Sequence, residues 1–180
     1  QASMEKMRAG KSLDLMQIHN LVDWRTHLPT LRAWKAGGRF RTIGITHFTV
    51  SAFDELMAIM RTEAIEFVQL PYSLAIRAAE DRLLPLAADK GIAVIPNRPF
   101  DGANMFRRVK GRTLPDFAAE IGALSFAQLF LKSLVAHPAV TCVIPGTASP
   151  SHMSDNVAAG FGPLPDTALR RRIVDWYEKG

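Results

Sequence analysis

The sequence predicts a parallel α/β fold of (β/α)8 TIM-barrel type, present as a partial barrel of about five β/α units. Short apolar runs suited to buried strands alternate with stretches of helical periodicity. The first four runs begin near 13, 41, 66 and 92, in steps of 28, 25 and 26 residues. A complete barrel of roughly 250 residues uses about 31 per unit. The other architecture compatible with this alternation is an open doubly wound sheet. No Gly-x-Gly-x-x-Gly follows any run, so that sheet's dinucleotide fingerprint is missing and barrel units are preferred. Five strands cannot close an eight-stranded barrel, so about three N-terminal strands are expected upstream.

Residues 1–10 read as the tail of a helix, with Met4 and Met7 three apart and Gly10 ending it. The run at 13–19, LDLMQIH, has no helical stripe and stops at the polar pair His19-Asn20. It suits a strand buried on both faces. Leu28, Leu31 and Trp34 then mark a helix leaving through Gly37-Gly38. Residues 41–48, RTIGITHF, form a second strand ending in Thr46-His47. A helix capped by Ser51 runs to about Arg61, and residues 65–70 form a third strand carrying Gln69. A helix over 78–89 precedes Gly91, and residues 92–95 form a fourth strand. A long basic loop extends to about Asp116. The helix from Ser125 to His137 precedes a fifth strand at 141–144, broken by Pro145-Gly146. Ser149-Pro150 is a strong helix start, and Leu169, Ile173 and Trp176 share one face of the last helix.

With 180 residues, 48% hydrophobic and 22% charged, the chain fits one globular domain over 1–180. Its single cysteine, Cys142, excludes an internal disulfide framework and any multi-cysteine metal site. No apolar run nears the roughly 20 residues of a membrane helix, and no signal peptide is visible. A cytoplasmic protein with no membrane partner is the default expectation. The net charge of +5 is spread over 22 Lys and Arg, clustered only at 107–112 and 170–172. Without an aromatic platform these clusters do not predict nucleic-acid binding, and an anionic cofactor explains a basic surface equally well.

The five strand ends supply His19-Asn20, Thr46-His47, Gln69, Asn97-Arg98 and Gly146-Thr147. In a parallel barrel all of them would border one mouth. His19 is the candidate for proton transfer or carbonyl orientation, and His47 could do the same work. His27, His137 and His152 read as surface or helix-end residues. Gln69, ending an apolar strand, needs a partner such as a ligand carboxamide. The sequence Pro145-Gly146-Thr147-Ala148-Ser149-Pro150 leads into a helix N-terminus, where backbone N–H groups and the helix dipole attract phosphate. No metal is expected, because no HxH, HExxH or carboxylate cluster accompanies His19 or His47.

DLMQIHN (14–20), GRFRTIGITHF (38–48), the block at 67–95 and the block at 125–156, in this order, resemble the C-terminal part of the aldo-keto reductase family. The resemblance covers nearly the whole chain. It implies a (β/α)8 barrel binding a nicotinamide cofactor, most often NADP(H) with NAD(H) as the other option, and hydride transfer to a small carbonyl substrate. It makes His19 the family's catalytic histidine. The partnering Asp, Tyr and Lys would come from upstream strands; Tyr72 and Tyr177 do not match their positions. It implies cofactor contacts at Thr46, His47, Gln69, Asn97, Arg98, Phe100, Gly146, Thr147, His152, Asp155 and Asn156. Thr46 replaces the usual Ser, His47 the usual Asn, and Asn97 a residue that is often aromatic. Gly146-Thr147 replaces a Lys-Ser, and His152 replaces an Arg. The alternative is a non-catalytic cofactor-binding or structural barrel. The 180 residues alone are expected to be inactive, with exposed sheet edges open to self-association.

Overall fold

Four of the predicted strands form and lie side by side in chain order. The computed structural model describes residues 2–179. The strands are β1 (Leu13–His19), β2 (Phe40–Thr46), β3 (Phe67–Pro71) and β4 (Ala93–Asn97), all parallel, in the order β1-β2-β3-β4. Successive side chains on a strand point to opposite faces, so register decides what each face carries. Ile18 pairs with Ile45, Ile45 with Val68 and Val68 with Val94. These four are all buried and face the helices.

After α1 (Ala2–Lys6), which precedes β1, the helices covering that face are α2 (Trp24–Ala36), α3 (Phe53–Thr62) and α4 (Leu83–Lys90), which supply its core. Leu28 and Leu31 of α2, Leu56, Met57 and Met60 of α3, and Leu83, Leu84 and Ala87 of α4 fill one core with the strand residues. Full burial of such a side chain contributes roughly 1.5–3 kcal/mol. α4 ends at Gly91, whose φ of 66° suits glycine.

A second core lies beside the first. α5 (Asn104–Arg108), a 3-10 helix at Asp116–Ile121, α6 (Phe126–Val135), α7 (Pro150–Ala158) and α8 (Thr167–Glu178) follow β4. Phe100, Phe106, Phe130, Phe126 and Trp176 form a continuous aromatic chain, with neighbouring centroids 4.8 to 6.0 Å apart. The basic cluster at 107–112 is partly consumed here. Arg108 donates to the carbonyls of Tyr177 and Glu178, and Arg112 to that of Trp176. Both guanidiniums also lie over aromatic rings, Arg112 at 3.8 Å from the Trp176 centroid. Cations at a helix C-terminus complement its dipole.

Several boundaries differ from the sequence reading. The fifth run, 141–144, is not a strand: it makes one isolated bridge, Val94 to Val140, with Thr141 N–H donating to Val94 O at 2.9 Å. The run donates to β4 only at its two ends, from Thr141 N–H and from Ile144 N–H to Pro96 O at 3.4 Å, and Pro145, which has no N–H, ends it. Ser51 is not an N-cap; it sits in a 3-10 turn at Val50–Ala52, and its hydroxyl pairs with that of Thr49. α2 starts at Trp24, three residues before the predicted start. The expected helix over 78–89 divides into a 3-10 turn at Ala78–Glu80 and α4. The long loop holds α5 and the 3-10 helix. The first helix stops at Lys6, with Arg8 taking the left-handed conformation rather than Gly10. Ser149 does cap α7, accepting from the His152 N–H, with Pro150 in the first turn. Among the described residues no helix is long and apolar enough to cross a membrane.

Candidate functional site

The predicted site residues fall into two groups on the structure. The first is a row across the sheet. His19 pairs with Thr46, and Thr46 pairs with Gln69, at one level of three adjacent strands. Paired residues in a parallel sheet share a face, here the face opposite the helices. Strands lie about 4.8 Å apart, so His19 and Gln69 are roughly 10 Å apart at the backbone. Gln69 pairs in turn with Ile95, and Asn97 stands two residues beyond on the same side. Thr46 is buried, Gln69 half-buried and His19 exposed. His47 extends the ladder by donating its N–H to Gln69 O at 3.1 Å.

Close approach of β2 and β3 explains the register. A Cβ on Gly44 would lie 2.5 Å from the carbonyl oxygen of Phe67 and 2.8 Å from its Cβ. Only glycine fits there, two residues before Thr46.

The second group lines a cavity of about 670 Å³ beside the exit of β4. Arg98, Phe100, Gly146, Thr147, His152, Asp155 and Asn156 all border it. Its wall is largely apolar, with Pro99, Phe106, Phe126 and Ile144 completing it. Arg98 is exposed and pairs with Asp101 at 3.3 Å. The loop at 98–103 is conformationally strained: Arg98, Asp101 and Ala103 have φ of 51°, 48° and 74°. Such non-glycine residues each cost of order 1–3 kcal/mol. Asn20, Leu21 and Asp23, directly after His19, are likewise left-handed.

Asp155 is already committed within the protein. Its carboxylate accepts from the Ser125 hydroxyl at 2.7 Å and from Gln128 Nε2 at 2.6 Å. Ser125 caps α6 by accepting from the Gln128 N–H at 3.1 Å, while Gln128 Oε1 accepts from the Leu124 N–H. Asp155 thus ties α7 to the positive end of α6. Ser125 and Gln128 escaped the sequence reading of the site, although Ser-x-x-Gln before an apolar run is a readable capping signature. Asn156 is the opposite case: it is buried at 8% exposure, borders the cavity, and its amide has no hydrogen-bond partner among the described residues. In the preceding loop, Thr147 Oγ1 accepts from the Ser149 N–H at 3.1 Å. The N–H groups of Gly146, Thr147 and Ala148 have no acceptor among the described residues.

His19 borders a separate groove of about 350 Å³ between β1 and α2, with Gln17, His27 and Trp34. His137 is not a plain helix-end residue. It meets the Tyr72 ring edge-on at 6.0 Å, and burial together with nearby Arg170 holds its imidazole below the ordinary range.

The Aldo/keto reductase family matches residues 1–171. Pyridoxine 4-dehydrogenase of Escherichia coli K12 is 33% identical over 132 residues, 73% of this chain and 43% of that protein. An uncharacterized oxidoreductase of Schizosaccharomyces pombe is 28% identical over 160 residues, 87% of this chain and 50% of its own. This chain spans about half the length of these curated relatives. An aldo/keto reductase from Klebsiella pneumoniae, in complex with NADP and acetate, aligns with a TM-score of 0.76 at 23% identity, over 97% of this chain and 62% of that one. The holo form of an aldo-keto reductase from Bacillus halodurans aligns at 0.73 with 20% identity, over 98% and 64%. The four parallel strands and their helices therefore have the fold of a (β/α)8 barrel over part of its circumference. From the extent of the family match and the identity to its curated relatives, the chain belongs to the Aldo/keto reductase family.

Proposed function

We propose that this chain carries the cofactor-binding surface of an oxidoreductase that reduces aldehydes or ketones to alcohols with NADPH, NADH being the second cofactor it accepts. The observation that carries the reading is the cavity of about 670 Å³ beside β4, which brings together Arg98, Phe100, Gly146, Thr147, His152 and Asn156. The cavity's apolar wall suits a planar base, and the free N–H groups of the 146–148 loop with the start of α7 suit a phosphate. The NADP and NADPH complexes of the structural neighbours support the same cofactor.

Thr46 and Gln69 hold the carboxamide end of the cofactor on the strand-end row. Phe100 and Asn156 bound the base, and His152, exposed at the rim, faces the 2′-phosphate. When bound, the dihydronicotinamide supplies a hydride. His19 orients the substrate carbonyl at the edge of the row. The proton for the alcohol is assigned to a tyrosine that the family resemblance puts upstream, so these 180 residues alone bind cofactor without turnover.

The test is calorimetric titration of the chain with NADPH and with NADH, and an aldehyde-reduction assay on the intact protein. Binding of NADPH and aldehyde-dependent oxidation of it are expected. Failure of both cofactors to bind would overturn the reading.

A further inference from the structure

α7 is a helix with almost no apolar core of its own. Asn156 is its one buried residue, while Met153 and Val157, four apart, lie exposed. A surface helix is ordinarily held by an apolar stripe facing the core. α7 lacks that stripe, yet it brings His152, Asp155 and Asn156 to the cavity. Its placement therefore depends on directional polar contacts.

Those contacts come from one face of α6. Ser125, Gln128 and Lys132 stand at i, i+3 and i+7, the spacing of a single helical face. Ser125 and Gln128 donate to the Asp155 carboxylate in the middle of α7. Lys132, only 1% exposed, sends its ammonium to the turn that follows α7. There it donates to Phe161 O and, at 3.1 Å, to Pro163 O. Gly162, between those carbonyls, has φ 74°, and a Cβ on it would lie 3.9 Å from Nζ, so the turn closes directly over the cation. Phe161 and Leu164 are exposed, so this turn too is held by its backbone rather than by apolar packing. A buried ammonium is retained only where acceptors replace its water, and the two carbonyls do so here.

We infer that Lys132 and Gln128 are positioning residues that set α7 against α6, and that Asp155 is spent on this fastening and contacts no ligand. α6 grips α7 at two points, its middle and the turn after its end. The two grips fix the helix start, and with it the 146–148 loop and His152, over the cavity. This departs from the cofactor contact that the family resemblance implies for Asp155. The bearing on ligand binding rests on the cofactor reading above.

The test is NADPH titration of variants shown by circular dichroism to be folded at the titration temperature. Lys132→Met removes the grip on the turn and is expected to raise Kd about 5- to 10-fold, the equivalent of one lost hydrogen bond. Lys132→Arg, which restores donors, returns Kd to within about 3-fold. Gln128→Glu sets a second carboxylate against Asp155 while keeping an acceptor for the Leu124 N–H, and weakens binding as Lys132→Met does. Adding Asp155→Asn to Gln128→Glu rebuilds the pair with the donor on the other side, and Kd returns to within about 3-fold. A double variant that stays weak would make Asp155 a ligand contact and overturn the inference. Unchanged Kd in folded Lys132→Met and Gln128→Glu would overturn it too. If Lys132→Met does not fold, the Gln128 variants decide alone. If the unsubstituted chain does not bind NADPH, the cofactor reading falls and ¹H–¹⁵N spectra decide the positioning role. Shifts concentrated at residues 149–163 in Lys132→Met and Gln128→Glu support it; shifts spread over β1 to β3, or none, overturn it.

Discussion

Arg170 donates a guanidinium N–H to the hydroxyl of Tyr72, 3.1 Å away and 98 residues earlier in the chain. The same group reaches Glu80 Oε1 at 3.3 Å, and its Nε donates to Ser133 O at 2.9 Å. Tyr72 itself donates to Glu80 at 2.5 Å, and Arg77 bonds both Glu80 and Glu178. The residue leaving β3 is therefore fastened to α8. Burial and the hydrogen bond to Glu80 push the Tyr72 hydroxyl well above its ordinary range. Tyr72→Phe removes one donor from Glu80 and one acceptor from Arg170, and is expected to lower stability by about 1–2 kcal/mol. Urea unfolding with an unchanged slope and a lower midpoint is the measurement.

The same cluster predicts acid sensitivity. Burial alone would raise the Glu80 carboxyl, but hydrogen bonds from Arg77 and Tyr72 outweigh it and hold the group below its ordinary range. His137 is also held low, first by burial and then by Arg170. For both groups the unfolded chain takes up a proton at a higher pH than the folded one. Stability therefore rises with pH through each window and is lost on acidification. The His137 part is lost as pH falls below about 6.5, and the Glu80 part as pH falls below about 4.5. Thermal melts from pH 8 to pH 4 are expected to show a falling Tm. His137→Gln is expected to flatten the upper part of that fall.

Gly44→Ala is expected to destabilise by about 2 kcal/mol or more, because the new methyl meets the backbone of Phe67 rather than a movable side chain. Circular dichroism melts decide this. A neutral outcome would mean that β2 and β3 can separate without loss.

Ala103→Gly works in the other direction. Ala103 is exposed with φ 74°, a conformation that glycine adopts freely. Relief of that strain is expected to add about 0.5–1 kcal/mol, or roughly 1–4 °C in Tm for a chain of this size. NADPH affinity serves as the control for the shape of the cavity.

His19→Ala in the intact protein is expected to lower kcat by about 100-fold, more than His47→Ala does. Steady-state kinetics with NADPH and an aldehyde measure both. The reverse order would move carbonyl orientation to His47.

The strand ends were legible because a polar residue stands at or near the close of each apolar run, and His19, Thr46 and Gln69 lie in one row across the sheet. The start of α7 was legible from Ser149-Pro150 alone. What composition and spacing did not reveal depends on contacts distant in sequence. Nothing local marks Asp155 as a partner of Ser125 and Gln128, or Asn97 as a strut for His47. The failed strand at 141–144 has the composition of one, but strand formation requires a neighbour as well as a propensity. The split of the 78–89 helix likewise follows from Glu80 turning inward to Tyr72 and the arginines.

The sheet's order, β1-β2-β3-β4, bears on how the polypeptide is made. Each strand pairs with the next one to leave the ribosome, so every β/α unit finds its partner already synthesised. Loop-closure entropy stays small for such pairings, which favours rapid assembly in the order of translation. The Tyr72–Arg170 contact breaks that sequence of events, because its second half emerges 98 residues after its first. Until then the start of the Ser73–Ile76 turn lacks its anchor. α8 thus secures the end of β3 only after the four strands have been made, and premature termination before it would leave the sheet assembled but not secured.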